Sequence, residues 1–93
     1  MAKPTEKLTR QIRIINELGL HARPAAKIAE LAKTAREKVW LIKDDEKVDA
    51  SSIIDILSLA CLKGTVLTLE VESRSDILIM DKVVELIEDG FKE

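Results

Sequence analysis

The spacing of apolar side chains divides the chain into seven predicted elements. Residues 11–16 alternate polar and apolar side chains, a pattern typical of a half-buried β-strand. Residues 22–35 carry apolar side chains at helical spacing, with charged side chains on the opposite side. By the same criteria, the other predicted elements are a β-hairpin of residues 39–42 and 47–50, a short helix over 52–62, a strand over 65–71 and a helix over 76–91. The predicted order is strand, helix, two strands, helix, strand, helix.

The short helix over 52–62 carries signals at both of its ends. Ser52 followed three residues later by Asp55 is typical of a capping box, in which each side chain accepts a hydrogen bond from the backbone N–H of the other residue. Lys63 and Gly64 predict a cationic last turn and a glycine stop. These signals predict a helix with defined limits.

Strands and helices in this order predict an α/β domain in which three helices cover one face of a four-stranded sheet. A chain of 93 residues buries only about two-thirds of the surface that it exposes when unfolded, which suffices for one modest core. We therefore expect a single domain over residues 1–93. Residues 1–10 are expected to form a flexible extension, because polar chain termini are often mobile.

The composition excludes several classes of protein. With 46% hydrophobic and 34% charged residues, the chain is not expected to be disordered. Its apolar runs are too short to cross a bilayer, and residues 1–9 lack the apolar centre of a signal peptide. The single cysteine, Cys61, cannot form an internal disulfide and is interpreted as a small buried residue. We therefore expect a cytoplasmic protein without a membrane partner.

Charge and residue counts argue against two further classes. A net charge of -2, with one Trp, one Phe and no Tyr, is unlike a nucleic-acid-binding surface, which needs basic and usually aromatic side chains. One histidine and one cysteine, with carboxylates scattered among lysines and arginines, give no spacing of metal ligands. No metal and no cofactor are expected.

Residues 18–26, Leu-Gly-Leu-His-Ala-Arg-Pro-Ala-Ala, hold the most informative chemistry. A proline directly before an alanine-rich run fits the first turn of a helix, so His21 is expected at the N-terminus of that helix. Backbone N–H groups and the helix dipole favour an anion there, and Arg23 adds a planar guanidinium suited to phosphate. An imidazole among such groups is a natural nucleophile towards a phosphoryl group, whereas an isolated histidine would more often be a surface or N-cap residue.

Two further segments support the reactive interpretation of His21. Together with residues 48–60 and 63–69, the segment 18–26 resembles the histidine-containing phosphocarrier (HPr) family of the bacterial phosphotransferase system, over roughly residues 11–91. The resemblance implies a two-layer open-faced sandwich with an antiparallel sheet in the order 1-4-2-3. It also implies that the chain carries a phosphoryl group on His21, through Nδ1, from Enzyme I to Enzyme IIA components in sugar uptake. Arg23 and nearby backbone N–H groups would steady the phosphoryl oxygens, and the chain would act as a monomeric carrier and not as an enzyme.

Ser52 occupies the position that the resemblance assigns to regulatory phosphorylation by HPr kinase. The same residue is a predicted helix cap, and the two roles are compatible. Ser51 competes with Ser52 for either role.

Four apolar residues occupy positions that the resemblance assigns to partner docking: Leu20, Ile53, Ile54 and Leu57. Ordinary core packing is an equally good interpretation of Ile53 and Leu57, because the i, i+4 spacing suits both. Asp55 departs from the glycine or lysine common in the family. On the same helix face as the docking residues, its carboxylate would repel the largely acidic partner surfaces that the resemblance implies.

Two alternatives to sugar uptake remain open at this point. One is a family member that serves a regulatory or nitrogen-type phosphorelay. The other is an interaction module that is controlled by phosphorylation of Ser52, although such a module would not need both His21 and Arg23. A small hydrolase is disfavoured because no second catalytic group accompanies His21.

Overall fold

A computed structural model of the chain describes residues 8–92, and within them the elements follow the predicted order. The strands are β1 (Thr9–Arg13), β2 (Val39–Lys43), β3 (Glu46–Asp49) and β4 (Val66–Val71), and the α-helices are α1 (Ala22–Ala32), α2 (Ile53–Ser58) and α3 (Ile77–Glu88). Short 3-10 turns over Arg74–Asp76 and Gly90–Lys92 flank α3. None of the helices in residues 8–92 is long and apolar enough to cross a membrane.

The strands form one antiparallel sheet in the order β1-β4-β2-β3, which confirms the implied topology. Alternate side chains of β2 and β4, such as Leu41, Leu67 and Leu69, are buried beneath the helices, because successive strand residues point to opposite faces. Residues from all three helices complete this core, for example Ile28, Ile56 and Met80. The structure is therefore the open-faced α/β sandwich that the sequence predicted.

Strand β1 begins earlier than expected. Thr9 and Arg10 pair with Glu70 and Leu69 of β4, so these two residues belong to the sheet and their assignment to a flexible extension is wrong. Leu8 is also described, and its carbonyl accepts the Val71 N–H at 2.9 Å, whereas residues 1–7 of the predicted extension lie outside the described residues. Pairing with β4 explains why β1 starts at Thr9. The backbone of an edge strand forms hydrogen bonds with its neighbour even where its side chains are polar.

The predicted N-cap of α2 is confirmed, whereas the helix ends earlier than predicted. At the start, the Ser52 hydroxyl accepts a hydrogen bond from the Asp55 N–H at 3.2 Å. The reciprocal half of the predicted capping box is wrong, because the Ser52 N–H donates to the Asp49 carbonyl at 3.1 Å. Ser52 is thus the N-cap, and the preceding strand end satisfies its backbone.

At its other end, α2 stops at Ser58 and not near residue 62. Ala60 has φ +52°, a left-handed conformation that ends the helix. The predicted stop at Lys63 and Gly64 is wrong: Gly64, with φ +92°, forms the turn into β4, and its N–H donates to the Ile14 carbonyl at 2.7 Å. A short helix and a long connection, residues 59–65, therefore replace the single longer helix.

The loop that follows α1 is hydrogen-bonded to Asp76, a residue about 40 positions later in the chain. The helix stops at Ala32, and the N–H groups of Arg36 and Glu37 donate to the two carboxylate oxygens of Asp76, each at 2.8 Å. Asp76 itself is only 2% exposed. This buried carboxylate fixes the connection between α1 and β2 on the turn that begins α3.

Candidate functional site

His21 lies where the sequence placed it, at the N-terminus of α1. It is the N-cap residue, with an extended backbone of φ −84° and ψ −171°, and its carbonyl accepts the first helical hydrogen bond from the Ala25 N–H at 3.0 Å. The side chain is half-buried. A half-buried imidazole at a helix start is held in place yet remains accessible to a second protein.

Two backbone N–H groups next to His21 suit an oxyanion. The first N–H groups of a helix lack an acceptor within the helix, and Pro24, the third residue of α1, has no N–H. The donors of this first turn are therefore the N–H groups of Ala22 and Arg23. Together with the exposed guanidinium of Arg23, they form a site that favours the oxygens of a phosphoryl group.

The loop before His21 is a tight turn built on Asn16 and Gly19. The Gly19 N–H donates to the Asn16 carbonyl at 3.1 Å, and the Asn16 side-chain amide donates to the Gly19 carbonyl at 2.7 Å. The same Gly19 carbonyl accepts the His21 N–H at 3.0 Å. Asn16 was not predicted as part of the site, although an asparagine three residues before a glycine is a recognisable turn signal.

Gly19 also allows this loop to pack closely against the connection that follows α2. Its φ is +68°, and a Cβ atom at this position would lie 2.3 Å from the Cys61 carbonyl oxygen. The neighbouring Leu20 N–H donates to that same oxygen at 2.9 Å. Cys61 is buried, as predicted, and burial raises the pKa of its thiol. The backbone at Cys61 therefore sets the position of the His21 loop.

A groove of about 760 Å³ borders His21 and Arg23. Its walls come from the loop of residues 15–18 and from the C-terminal segment of residues 89–92. Lys27 of α1 holds that segment by donating to the Phe91 carbonyl at 3.0 Å. No local sequence pattern predicts residues 89–92 at the site, because only the tertiary structure brings the end of α3 beside the start of α1.

An exposed ion pair lines the groove. Lys63 lies 2.7 Å from a Glu17 carboxylate oxygen and thereby lowers the pKa of Glu17 below its usual value. Both side chains are largely exposed, so the pair contributes little to stability. Its charges instead add to the ionic character of the groove rim.

Three of the four predicted docking residues lie on the surface of α2. Ile54 is 77% exposed, whereas Ile53 and Leu57 are each 38% exposed, and the core contact of this helix is made by Ile56. Exposure on this scale favours docking over core packing for all three. Because α2 packs against α1, these side chains, which we call the α2 apolar face, belong to the same region as the helix that begins at His21.

Leu20 is the exception among the predicted docking residues. Its side chain is 4% exposed and lies in the hydrophobic core. A buried side chain offers no surface to a partner, so the prediction for Leu20 is wrong. Its burial instead anchors the residue directly before His21.

Asp55 lies next to one edge of the α2 apolar face. At 3.6 residues per helical turn, it lies about 160° around the helix from both Ile53 and Leu57, and about 100° from Ile54. Asp49 is the main reason that the pKa of Lys38 is raised, and Asp55 is a minor contributor to the same increase. The expectation that Asp55 repels acidic docking partners therefore stays a prediction.

Asp49 organises the turn that carries both candidate regulatory serines. One of its oxygens accepts from the Ser51 N–H at 2.8 Å and from the Ser51 hydroxyl at 2.6 Å, and the other contacts Lys38 at 2.7 Å. The hydrogen bonds from Lys38 and then Ser51 lower the pKa of Asp49 to about 2. The Ser51 hydroxyl thus donates to the Asp49 carboxylate, whereas the Ser52 hydroxyl caps α2.

The lowered pKa of Asp49 predicts a specific pH dependence of stability. The carboxylate stabilises the fold fully above its unfolded pKa of about 4, and this contribution is lost as the pH falls towards 2. We expect Asp49→Asn to lower the free energy of unfolding at pH 7 by about 1 kcal/mol, since Asp49 borders solvent and water screens the ion pair. Urea denaturation of both proteins at several pH values should show the difference shrinking between pH 4 and pH 2.

Asp45→Asn, which removes a carboxylate from the exposed hairpin turn, is the control for that experiment. A difference between Asp49→Asn and the unmodified protein that stays constant from pH 4 to pH 2 would contradict the assigned role of Asp49.

The chain is similar in sequence to known phosphocarrier proteins. The family model described as "PTS HPr component phosphorylation site" matches residues 8–89. Phosphocarrier protein HPr of Neisseria meningitidis is 38% identical over 86 residues, which cover 92% of this chain and 97% of the relative. Phosphocarrier protein NPr of Shewanella violacea is 33% identical over 87 residues, which cover 94% of this chain and 96% of the relative.

The fold agrees with a solved relative as well. The crystal structure of HPr-C-His from Thermoanaerobacter tengcongensis superposes with a TM-score of 0.86 at 39% sequence identity, and the match covers 91% of this chain and 96% of that one. The family match over residues 8–89 includes β1, α1 and the loop between them that carries His21.

Proposed function

This chain belongs to the HPr family of phosphocarrier proteins, and we propose that it carries a phosphoryl group on His21 from Enzyme I to Enzyme IIA components in sugar uptake. One observation supports this proposal above the others. His21 is the N-cap of α1, next to the N–H groups of Ala22 and Arg23, and the exposed Arg23 side chain lines the same groove as His21.

The transfer step needs few groups beyond these. The neutral imidazole of His21 attacks phosphorus through the Nδ1 lone pair while its proton stays on Nε2. The new N–P bond forms as the bond between phosphorus and the donor atom of Enzyme I breaks, and the donor keeps the electron pair. The Ala22 and Arg23 donors stabilise the charge spread over the transferring oxygens. Onward transfer to an acceptor reverses these changes at His21.

A carrier with so sparse a site depends on its partner to complete the chemistry. Positioning and charge stabilisation supply most of the catalysis in phosphoryl transfer. The α2 apolar face, with Ile53, Ile54 and Leu57 exposed, provides a contact surface in the same region as α1. We propose that Enzyme I and Enzyme IIA components dock there in turn and that the chain works as a cytoplasmic monomer.

Regulation at Ser52 forms a second part of the proposal. A phosphate on Ser51 would lie against the Asp49 carboxylate, which already holds the Ser51 hydroxyl at 2.6 Å, and like charges repel. The Ser52 hydroxyl instead accepts the Asp55 N–H at the start of α2. These environments favour Ser52 as the residue that an HPr kinase modifies, directly beside the α2 apolar face.

The similarity to an NPr protein favours one alternative, a nitrogen-type regulatory phosphorelay. The site chemistry is the same in both cases, and only the acceptor differs. Offering the phosphorylated chain to a sugar-type and to a nitrogen-type Enzyme IIA distinguishes them by which acceptor takes the label faster.

Labelling with Enzyme I and phosphoenolpyruvate tests the proposed role of His21. We expect one acid-labile, base-stable phosphoryl group on the unmodified chain and none on His21→Ala, because the substitution removes the nucleophile. Ser52→Ala, the matched control, should still be labelled. Circular dichroism of each variant checks that the fold is retained, and equal labelling of folded His21→Ala would refute the proposal.

A further inference from the structure

The strand residue Lys43 holds the connection that joins α2 to the His21 loop. It is the last residue of β2, and its side-chain ammonium donates to the Leu59 carbonyl at 2.8 Å and to the Ala60 carbonyl at 3.4 Å. Leu59 is the C-cap residue of α2. The carbonyls at a helix C-terminus lack partners within the helix and carry partial negative charge, so a cation satisfies both needs.

The backbone that Lys43 holds adopts an unfavourable conformation. Ala60 has φ +52°, a region that residues with a Cβ atom rarely occupy. Glycine is the usual residue at this position of a helix end, because it adopts the conformation without strain. The ammonium of Lys43 therefore stabilises a turn that the local sequence does not favour.

The next carbonyl along the chain supports the phosphoryl-acceptor loop. The Cys61 oxygen accepts the N–H of Leu20, the residue before His21, at 2.9 Å. Gly19 approaches the same oxygen so closely that any side chain would collide with it. Three successive carbonyls, of residues 59–61, are thus held by Lys43 on one side and by the His21 loop on the other.

We propose that Lys43 is a positioning residue for phosphoryl transfer, because it fixes the His21 loop relative to the α2 apolar face through the backbone of residues 59–61. The inference rests on the proposed phosphocarrier function. A partner that docks on α2 reaches His21 with the correct alignment only if these two parts of the surface keep a constant separation. Small displacements of a reacting group lower transfer rates strongly.

Amide hydrogen exchange tests the structural half of this proposal. Lys43→Met keeps the length of the side chain but removes its charge and donors. We expect the Leu20 amide to exchange about tenfold faster relative to the Leu69 amide in the central strand β4, because the Cys61 acceptor becomes mobile. Lys43→Arg, which keeps a cationic donor, should restore protection. If Lys43→Met does not fold, Lys43→Gln replaces it, since its shorter amide lacks the charge.

Transfer kinetics with phosphorylated Enzyme I test the functional half. For Lys43→Met we expect kcat to fall about tenfold with KM changed less than twofold, since alignment is lost while the α2 apolar face remains. Lys43→Arg should recover most of the rate. The control is Lys47→Met on the adjacent strand, whose ammonium contacts the Glu70 carboxylate at 3.0 Å on the open face of the sheet.

The outcomes separate this inference from the proposed function. Unchanged Leu20 exchange in a charge-removing variant, or an unchanged kcat despite faster exchange, would overturn the role of Lys43 while the unmodified chain still accepts phosphate. An unmodified chain that accepts no phosphoryl group from Enzyme I would refute the proposed function. Exchange at Leu20 would then still decide whether Lys43 holds the loop.

Discussion

Replacing Gly19 by alanine is expected to lower the free energy of unfolding by about 3 kcal/mol, because two separate costs add at this position. The backbone has φ +68°, which an L side chain adopts only with strain. The new methyl carbon would also lie 2.3 Å from the Cys61 carbonyl oxygen and 2.9 Å from the Leu62 Cα atom. Both obstacles are backbone atoms, so relief requires the loops themselves to separate.

Gly64→Ala is the matched control for Gly19→Ala, and urea denaturation measures both variants. Gly64 also has a positive φ, +92°, but a Cβ atom there would meet nothing within 4 Å. Its cost is expected to be about 1–2 kcal/mol, from backbone strain alone. Equal destabilisation by the two substitutions would show that the contact between the His21 loop and Cys61 is looser than described.

Replacing Asp76 by alanine is expected to cost about 3 kcal/mol of stability. Its carboxylate accepts the N–H groups of Arg36 and Glu37, each at 2.8 Å, and the side chain is almost completely buried. Alanine would leave both donors without their charged acceptor, in the loop between α1 and β2. Hydrogen bonds to buried charged groups are among the strongest contributions that a single side chain makes.

Asp81→Ala on α3 is the control for Asp76→Ala. Asp81 contacts Arg10 at 2.7 Å, but both side chains are nearly half exposed, so its loss should cost less than about 1 kcal/mol. The midpoint of urea denaturation compares the two variants directly. If Asp76→Ala were no more destabilising than Asp81→Ala, the buried carboxylate would not hold the α1–β2 loop.

Local sequence signals predicted the parts of the structure that depend on neighbouring residues. Alternating and helical spacing gave the order of the elements, because burial against a single core imposes those periods. Pro24 and the alanines around it placed His21 and Arg23 at the start of α1 correctly. Ser52 was identified as a helix cap, since its hydroxyl acts only three residues along the chain.

The remaining features depend on contacts between distant residues. Asp76 acts on backbone groups 39 and 40 positions away, and no local pattern reveals such a pair. The face on which Asp55 lies depends on how α2 is rotated against the core, which burial of Ile56 fixes. The burial of Leu20 and the support of residues 59–61 by Lys43 likewise arise only when the loops pack together.

Release of the phosphoryl group from His21 tests the central claim most directly, because a carrier must both accept and return it. The chain is labelled with Enzyme I and phosphoenolpyruvate, purified, and mixed with fresh Enzyme I and pyruvate. We predict that the label leaves His21 and appears in phosphoenolpyruvate much faster than it is lost from the phosphorylated chain alone. Label that stays on the chain and decays at the same rate with and without Enzyme I would contradict a carrier function.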